Sequence, residues 1–216
     1  MKILVFSDTH LTHTFEPNKF ELLKKIILKA DRVIINGDFW DGYRTTFDTF
    51  IASDWKRLFP LLKSKKTVYL FGNHDRKSFM DKRMRLFSDT QSETFILRIN
   101  GKNFIFEHGN RISPLLDESP LMPHFLNRIT TRIAGFALKN ISFLQFLHKR
   151  MNVIIKSKME KRLKRDDILL CGHSHYPEID LKHKFVNSGY IQNGKAHYLI
   201  IEEGKIIAKK EFYPKT

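Results

Sequence analysis

Cysteine is nearly absent from this 216-residue chain. Cys171 stands alone, so no intramolecular disulfide can form, which fits a reducing compartment. Glycine (10 residues) and proline (7 residues) are few and leave little for long linkers. No run of about 18 uncharged apolar residues occurs, so no segment suits a bilayer span. The apolar start of the chain meets Asp8 too early for a signal peptide. The expected location is therefore cytoplasmic, with the inner leaflet of the membrane as a surface within reach. Carboxylates are also short: 23 Asp and Glu face 38 Lys and Arg, a formal charge of +15. That surplus favours anionic partners, whether phosphorylated small molecules, nucleic acid or an acidic membrane surface.

What is present is an ordinary globular composition, 42% hydrophobic and 28% charged. The first half alternates strand and helix signals. Apolar runs at 3–6, 32–35 and 67–71 read as buried strands, and 20–30 and 50–62 read as helices. Strands at 95–99 and 103–107 flank Asn100-Gly101, a hairpin signal, and 196–202 and 205–212 flank Glu203-Gly204. Further short strands are expected at 168–171 and 184–186. Such alternation predicts an α/β fold. Segment 111–165 differs. Its Leu, Ile, Phe and Met fall at three- and four-residue spacing, in stripes such as Phe143, Leu144, Leu147, Met151 and Ile154. It holds 12 basic and 3 acidic residues, a net +9 out of the chain's +15. We read a core over 1–110 and 166–216, with a basic helical insertion at 111–165.

Five polar motifs each follow a predicted strand: Asp8-Thr9-His10, Gly37-Asp38, Gly72-Asn73-His74-Asp75, His108-Gly109-Asn110 and Gly172-His173-Ser174-His175. Taken singly, each reads as a turn or a stray histidine. As an ordered set at strand ends they offer seven oxygen and imidazole donors: Asp8, His10, Asp38, Asn73, His108, His173 and His175. Mixed O/N donors suit Mn²⁺, Fe, Zn²⁺ or Co²⁺ better than Mg²⁺ or Ca²⁺. Seven exceed one tetrahedral site and suit two ions sharing a carboxylate. Ions held roughly 3.5–4 Å apart can generate hydroxide at neutral pH and clamp the attacking and leaving oxygens of a phosphoryl transfer. The glycines before Asp38, Asn73 and His173 are expected to permit sharp turns. Asp41 is either a carboxylate behind the ligands or a solvated loop residue.

The order D-x-H, G-D, G-N-H-D, H, G-H-x-H resembles the calcineurin-like metallophosphoesterase family, and the resemblance spans nearly the whole chain. It implies a four-layer α/β/β/α sandwich with the helical insertion between the last two ligand motifs. It implies that Asp8, His10 and His175 bind one ion, that Asn73, His108 and His173 bind another, and that Asp38 bridges them. The ions expected are Mn²⁺ first, with Fe, Zn²⁺, Ni²⁺ or Co²⁺ as alternatives. His74 then stabilises the phosphoryl transition state or protonates the leaving oxygen, with Asp75 orienting its ring. Asn187 falls at a turn where its role is structural. The implied activity is hydrolysis of a phosphoester or pyrophosphate by metal-bound hydroxide.

The helical insertion is similar to that of the UDP-2,3-diacylglucosamine hydrolases, which cleave a nucleotide-lipid pyrophosphate at the membrane surface. His74 departs from the Arg those enzymes carry, and Gly109-Asn110-Arg111 departs from their acidic run. Arg76, Arg111, Arg128 and Arg132 are candidate contacts for substrate anions. The basic charge also suits a nucleic-acid or cyclic-nucleotide phosphodiesterase, although no nucleic-acid-binding motif is present. Some members of the fold are non-catalytic scaffolds; the complete donor set here favours an enzyme.

Overall fold

The computed structural model describes residues 1–113 and 142–215. Its centre is the strand β1 (Lys2–Phe6), whose neighbour on one side is the parallel strand β2 (Arg32–Asn36). β3 (Val68–Leu70) and β4 (Thr90–Ser92) continue this parallel arrangement outward. On the other side β1 pairs antiparallel with β11 (Lys195–Glu202), which pairs along its whole length with β12 (Lys205–Phe212). The two-residue strand β10 (Ile191–Gln192) completes this seven-stranded sheet. The second sheet has the order β5–β6–β7–β9–β8, from β5 (Thr94–Ile99), β6 (Lys102–Glu107), β7 (Asp167–Cys171), β8 (Glu178–Asp180) and β9 (Phe185–Asn187).

Alternation along the strands explains the layers. Ile3 and Val5 of β1 join Ile34, Val68 and Leu70 against Phe104, Phe106, Ile168 and Leu170 of the second sheet. Leu4 and Phe6 face the other way, onto α1 (Pro17–Leu28), α2 (Phe47–Ala52) and α3 (Phe59–Ser64). On the outer face of the second sheet, Leu169, Cys171 and Phe185 pack with Ile155 and Met159 of α4 (Ser142–Glu160). Strands buried on both faces carry unbroken apolar runs, as β1 (3–6), β2 (33–35) and β7 (168–171) do. The result is the four-layer α/β/β/α sandwich.

Three expectations change. The helix expected over 50–62 is divided into α2, a 3₁₀ turn (Asp54–Leu58) and α3. Ser53 is extended (φ −70°, ψ 170°), and Pro60 lies in the first turn of α3, where its missing N–H costs nothing. Secondly, β4, β8 and β10 were not anticipated; strands of two or three residues show no usable periodicity. Thirdly, the expected insertion 111–165 is described only to 113 and from 142. Within it, α4 supplies the fourth layer through Met151 and Ile155, both buried, whereas Leu147 and Ile154 of the expected stripe are exposed. Residues 114–141, with Arg128 and Arg132, lie outside the described residues. Both hairpins are as expected: Asn100-Gly101 (φ 49° and 80°) and Glu203-Gly204 (φ 50° and 76°) have the paired positive φ of a type I′ turn. Among the described residues no helix is long and apolar enough to cross a membrane.

Candidate metal centre

Asp8 and His10 follow β1, Asp38 follows β2, Asn73 follows β3, His108 follows β6, and His173 and His175 follow β7. The carboxyl ends of parallel strands in two packed sheets therefore open onto one place, where α/β folds position ligands. All seven donors named from the sequence meet there. His175 Nε2 lies 3.0 Å from Asp8 Oδ1 and 3.3 Å from His10 Nε2. On the far side, Asn73 Oδ1 lies 3.2 Å from His108 Nε2 and 3.0 Å from His173 Nδ1. Asp38 stands between the two groups, with Oδ2 3.3 Å from His108 Nε2 and 3.6 Å from His10 Nε2.

The surroundings orient these rings. His108 Nδ1 donates to the Asn36 carbonyl (2.9 Å) and His173 Nε2 donates to the Ser113 carbonyl (3.0 Å). A carbonyl only accepts, so each contact fixes a proton on the outer nitrogen and turns the other nitrogen toward Asn73. The interior calls for positive charge. Asp8 Oδ1 is buried and accepts no well-formed hydrogen bond, despite the nearby His175 nitrogen. Burial alone lowers the pKa of His108, but Asp38 and Asp8 outweigh it and hold the ring up at about 10. Burial, then the neighbouring His74, lowers His10 to about 3; burial, then His108, lowers His173 to about 3. Two buried carboxylates ringed by imidazole nitrogens fit a divalent cation.

Five of the seven donors have left-handed backbone: Asp8 (φ 54°), His10 (44°), Asp38 (53°), His173 (63°) and His175 (55°). Each such non-glycine residue costs on the order of 1 kcal/mol, and clusters of them mark functional sites. The glycines differ from expectation. Gly37 has a positive φ (85°), as a sharp turn needs, but Gly72 and Gly172 do not. They are there for space: a Cβ on Gly172 would sit 2.4 Å from Ser7 Oγ and 2.5 Å from Asp8 Oδ2.

The expected partner of His74 is corrected. Asp75 is fully buried and its carboxylate accepts three backbone N–H groups, from Asp38 (3.0 Å), Phe39 (2.7 Å) and Gly72 (2.7 Å). It ties the loops after β2 and β3 together; burial, then the charge of Asp38, raises it to about 6. The ring of His74 is held instead by Asp41, with Nδ1 3.1 Å from Asp41 Oδ1. His74 and Asp75 lie in a bend, where the two side chains take different partners, so sequence proximity to His74 misled.

One buried residue had no sequence signal. Asn152 of α4 accepts from Ser174 Oγ (2.6 Å) and Asn187 Nδ2 (3.2 Å) and donates to the Tyr176 carbonyl (3.0 Å) and Glu178 Oε2 (2.8 Å). Asn187 Nδ2 in turn donates to the Gly172 carbonyl (2.6 Å). This network grips the His173–His175 loop from behind. Asn152→Ala is expected to weaken divalent-ion binding about 10–100-fold, as loss of a ligand-orienting contact does. Calorimetric titration of the purified protein with Mn²⁺ reads this directly, and an unchanged affinity would show that the loop holds itself.

The family model described as the calcineurin-like phosphoesterase superfamily domain matches residues 1–203. The chain is similar in fold to YfcE, a phosphoesterase from E. coli (14% identity, TM-score 0.52, covering 99% of this chain and 100% of that one). It is likewise similar to a single mutant of Vps29 from Entamoeba histolytica (15% identity, TM-score 0.50, covering 99% and 100%). No curated protein matches. The chain belongs to the calcineurin-like phosphoesterase superfamily and is a metal-dependent phosphoester hydrolase.

Proposed function

We propose that the centre holds two divalent ions, Mn²⁺ first among them, and hydrolyses a phosphodiester or phosphoanhydride. The observation that carries this is the convergence of seven donors about Asp38, which lies within 3.6 Å of imidazoles from both groups. Asp8, His10 and His175 would hold one ion and Asn73, His108 and His173 the other, with Asp38 placed to serve both groups. When bound, such ions supply the Lewis acidity that activates water and neutralises phosphoryl charge. The chain's residues do the rest. Asp41 fixes the proton of His74 on Nδ1, so that Nε2 is the nitrogen that meets the phosphoryl or leaving oxygen. The His74 backbone N–H donates to Asp38 Oδ1 (2.9 Å), which ties this ring to the shared carboxylate.

The finer reading is a nucleotide-lipid pyrophosphate met at an anionic membrane surface. It is supported by the charge of 111–165 and by the exposed Phe146, Leu147, Val153 and Ile154 of α4. The test is Mn²⁺-dependent hydrolysis of p-nitrophenyl phosphate, bis-p-nitrophenyl phosphate, UDP-diacylglucosamine in detergent and single-stranded DNA, each with a chelator control. Turnover of the lipid alone supports the finer reading; turnover of DNA or the generic diester with the lipid untouched removes it. No metal-dependent turnover of any of the four removes the enzymatic reading. Within this assay His74→Asn is expected to lower turnover by roughly 10²–10⁴, the range for a proton-transfer residue, with metal content retained. Unaltered turnover would take His74 out of the reaction.

A further inference from the structure

Beside the ligands of the second group lies a cleft of about 740 Å³, lined among others by Gly72, Arg76, Lys77, Glu93, Asn110 and Arg111. Gly72 precedes the ligand Asn73, and Asn110 lies two residues after His108, so the cleft opens directly off the centre. Its lining carries three cations and one carboxylate. Among the described residues none of these cations forms an ion pair with a carboxylate. An arrangement of that kind recognises an anion.

Arg76 is the organised member. Its Nε donates to the Asn73 carbonyl (3.1 Å) and one terminal nitrogen donates to the Tyr43 hydroxyl (2.8 Å). Its guanidinium carbon lies 5.9 Å from the Tyr43 ring centroid and 6.0 Å from that of Phe79. The guanidinium is thus placed before any ligand arrives, which reduces the entropy lost on binding. Tyr43 serves both sides: its ring stands edge-on to His74, with centroids 4.8 Å apart.

We propose that this cleft is a subsite for a second phosphate of the substrate, gripped by Arg76 and set in place by Tyr43. The inference rests on the phosphoesterase reading and narrows it to substrates with a phosphate beyond the scissile one, such as the diphosphate esters of nucleosides. Arg76 binds that phosphate; Tyr43 acts through Arg76 as a positioning residue.

The experiment compares two probes under Mn²⁺: ADP-ribose, which carries a second phosphate, and bis-p-nitrophenyl phosphate, which does not. In Arg76→Met the ratio of kcat/KM for ADP-ribose to that for the diester is expected to fall about tenfold to hundredfold, mostly through KM. Tyr43→Phe, which keeps the ring on His74, is expected to lower the ratio less. In the Arg76→Met background it is expected to lower it no further, because the two act as one unit. An unchanged ratio in Arg76→Met overturns the proposal, as does a wild-type protein that turns over the diester but not ADP-ribose. A wild-type protein that turns over neither of these probes nor any of the four substrates above overturns the phosphoesterase reading itself, a result visible before any variant is made.

Discussion

Asp38→Ala is expected to strip the protein of bound metal and to lower turnover of any phosphoester by roughly a thousandfold or more, the scale on which a preorganised charge contact is lost. Asp38 joins the two groups of donors to the His74 loop. Its Oδ2 approaches His108 and His10, its Oδ1 accepts the His74 N–H, and its own N–H donates to Asp75. Replacing it leaves His108 without the nearest of the two carboxylates that keep it protonated in the metal-free protein, so the buried rings lose their counter-charge as well as a ligand. Metal analysis after dialysis and steady-state kinetics read the two effects separately. Metal content equal to that of the wild type would remove Asp38 from the ligand set.

Gly72→Ala carries the second large effect, through space alone. A Cβ at this position would lie 2.1 Å from Asp38 Oδ1, 2.7 Å from the Asp38 nitrogen and 2.9 Å from its Cγ, nearer than Cβ atoms come to any neighbour. The backbone nitrogen cannot swing aside as a flexible side chain would, so either β2's loop or β3's loop must move. Overpacking of this kind costs about 1–3 kcal/mol, and each kcal/mol lowers Tm by roughly 2–4 °C in a chain of this size. Metal binding is expected to fall together with stability, because the displaced atoms are those of the shared carboxylate. Gly101→Ala makes the comparison: a Cβ there meets nothing within 4 Å, although φ is +80°. It is expected to lower Tm slightly and leave metal content alone. Equal metal content in Gly72→Ala and Gly101→Ala would show that Asp38 relaxes without consequence.

The frame was legible where local and global signals agreed. The runs at 3–6, 32–35 and 168–171 are apolar because both of their faces are buried, and the two hairpins carry residue pairs that tolerate positive φ. The seven donors could be found because each follows a strand that the eye can see. The misreadings have physical causes. Asp75 adjoins His74 in the chain but spends its carboxylate on backbone N–H groups, while Asp41 reaches the ring from another loop. Asn152 resembles any polar residue of a basic helix, and only the fold shows that it is buried behind His173 and His175. The stripe expected along α4 included Leu147 and Ile154, which are exposed, and passed over Ile155, which packs against the second sheet.

The left-handed conformations at Asp8, His10, Asp38, His173 and His175 bear on any attempt to thermostabilise this protein. Glycine is the residue each of those positions prefers on backbone grounds alone, and a search that rewards melting temperature will be drawn to them first. The same five substitutions erase five of the seven donors proposed to hold metal. Hardening this fold while keeping its chemistry therefore means exempting its most strained residues, and drawing the gains from surface loops such as Asn100-Gly101 and from the exposed faces of α1 and α4.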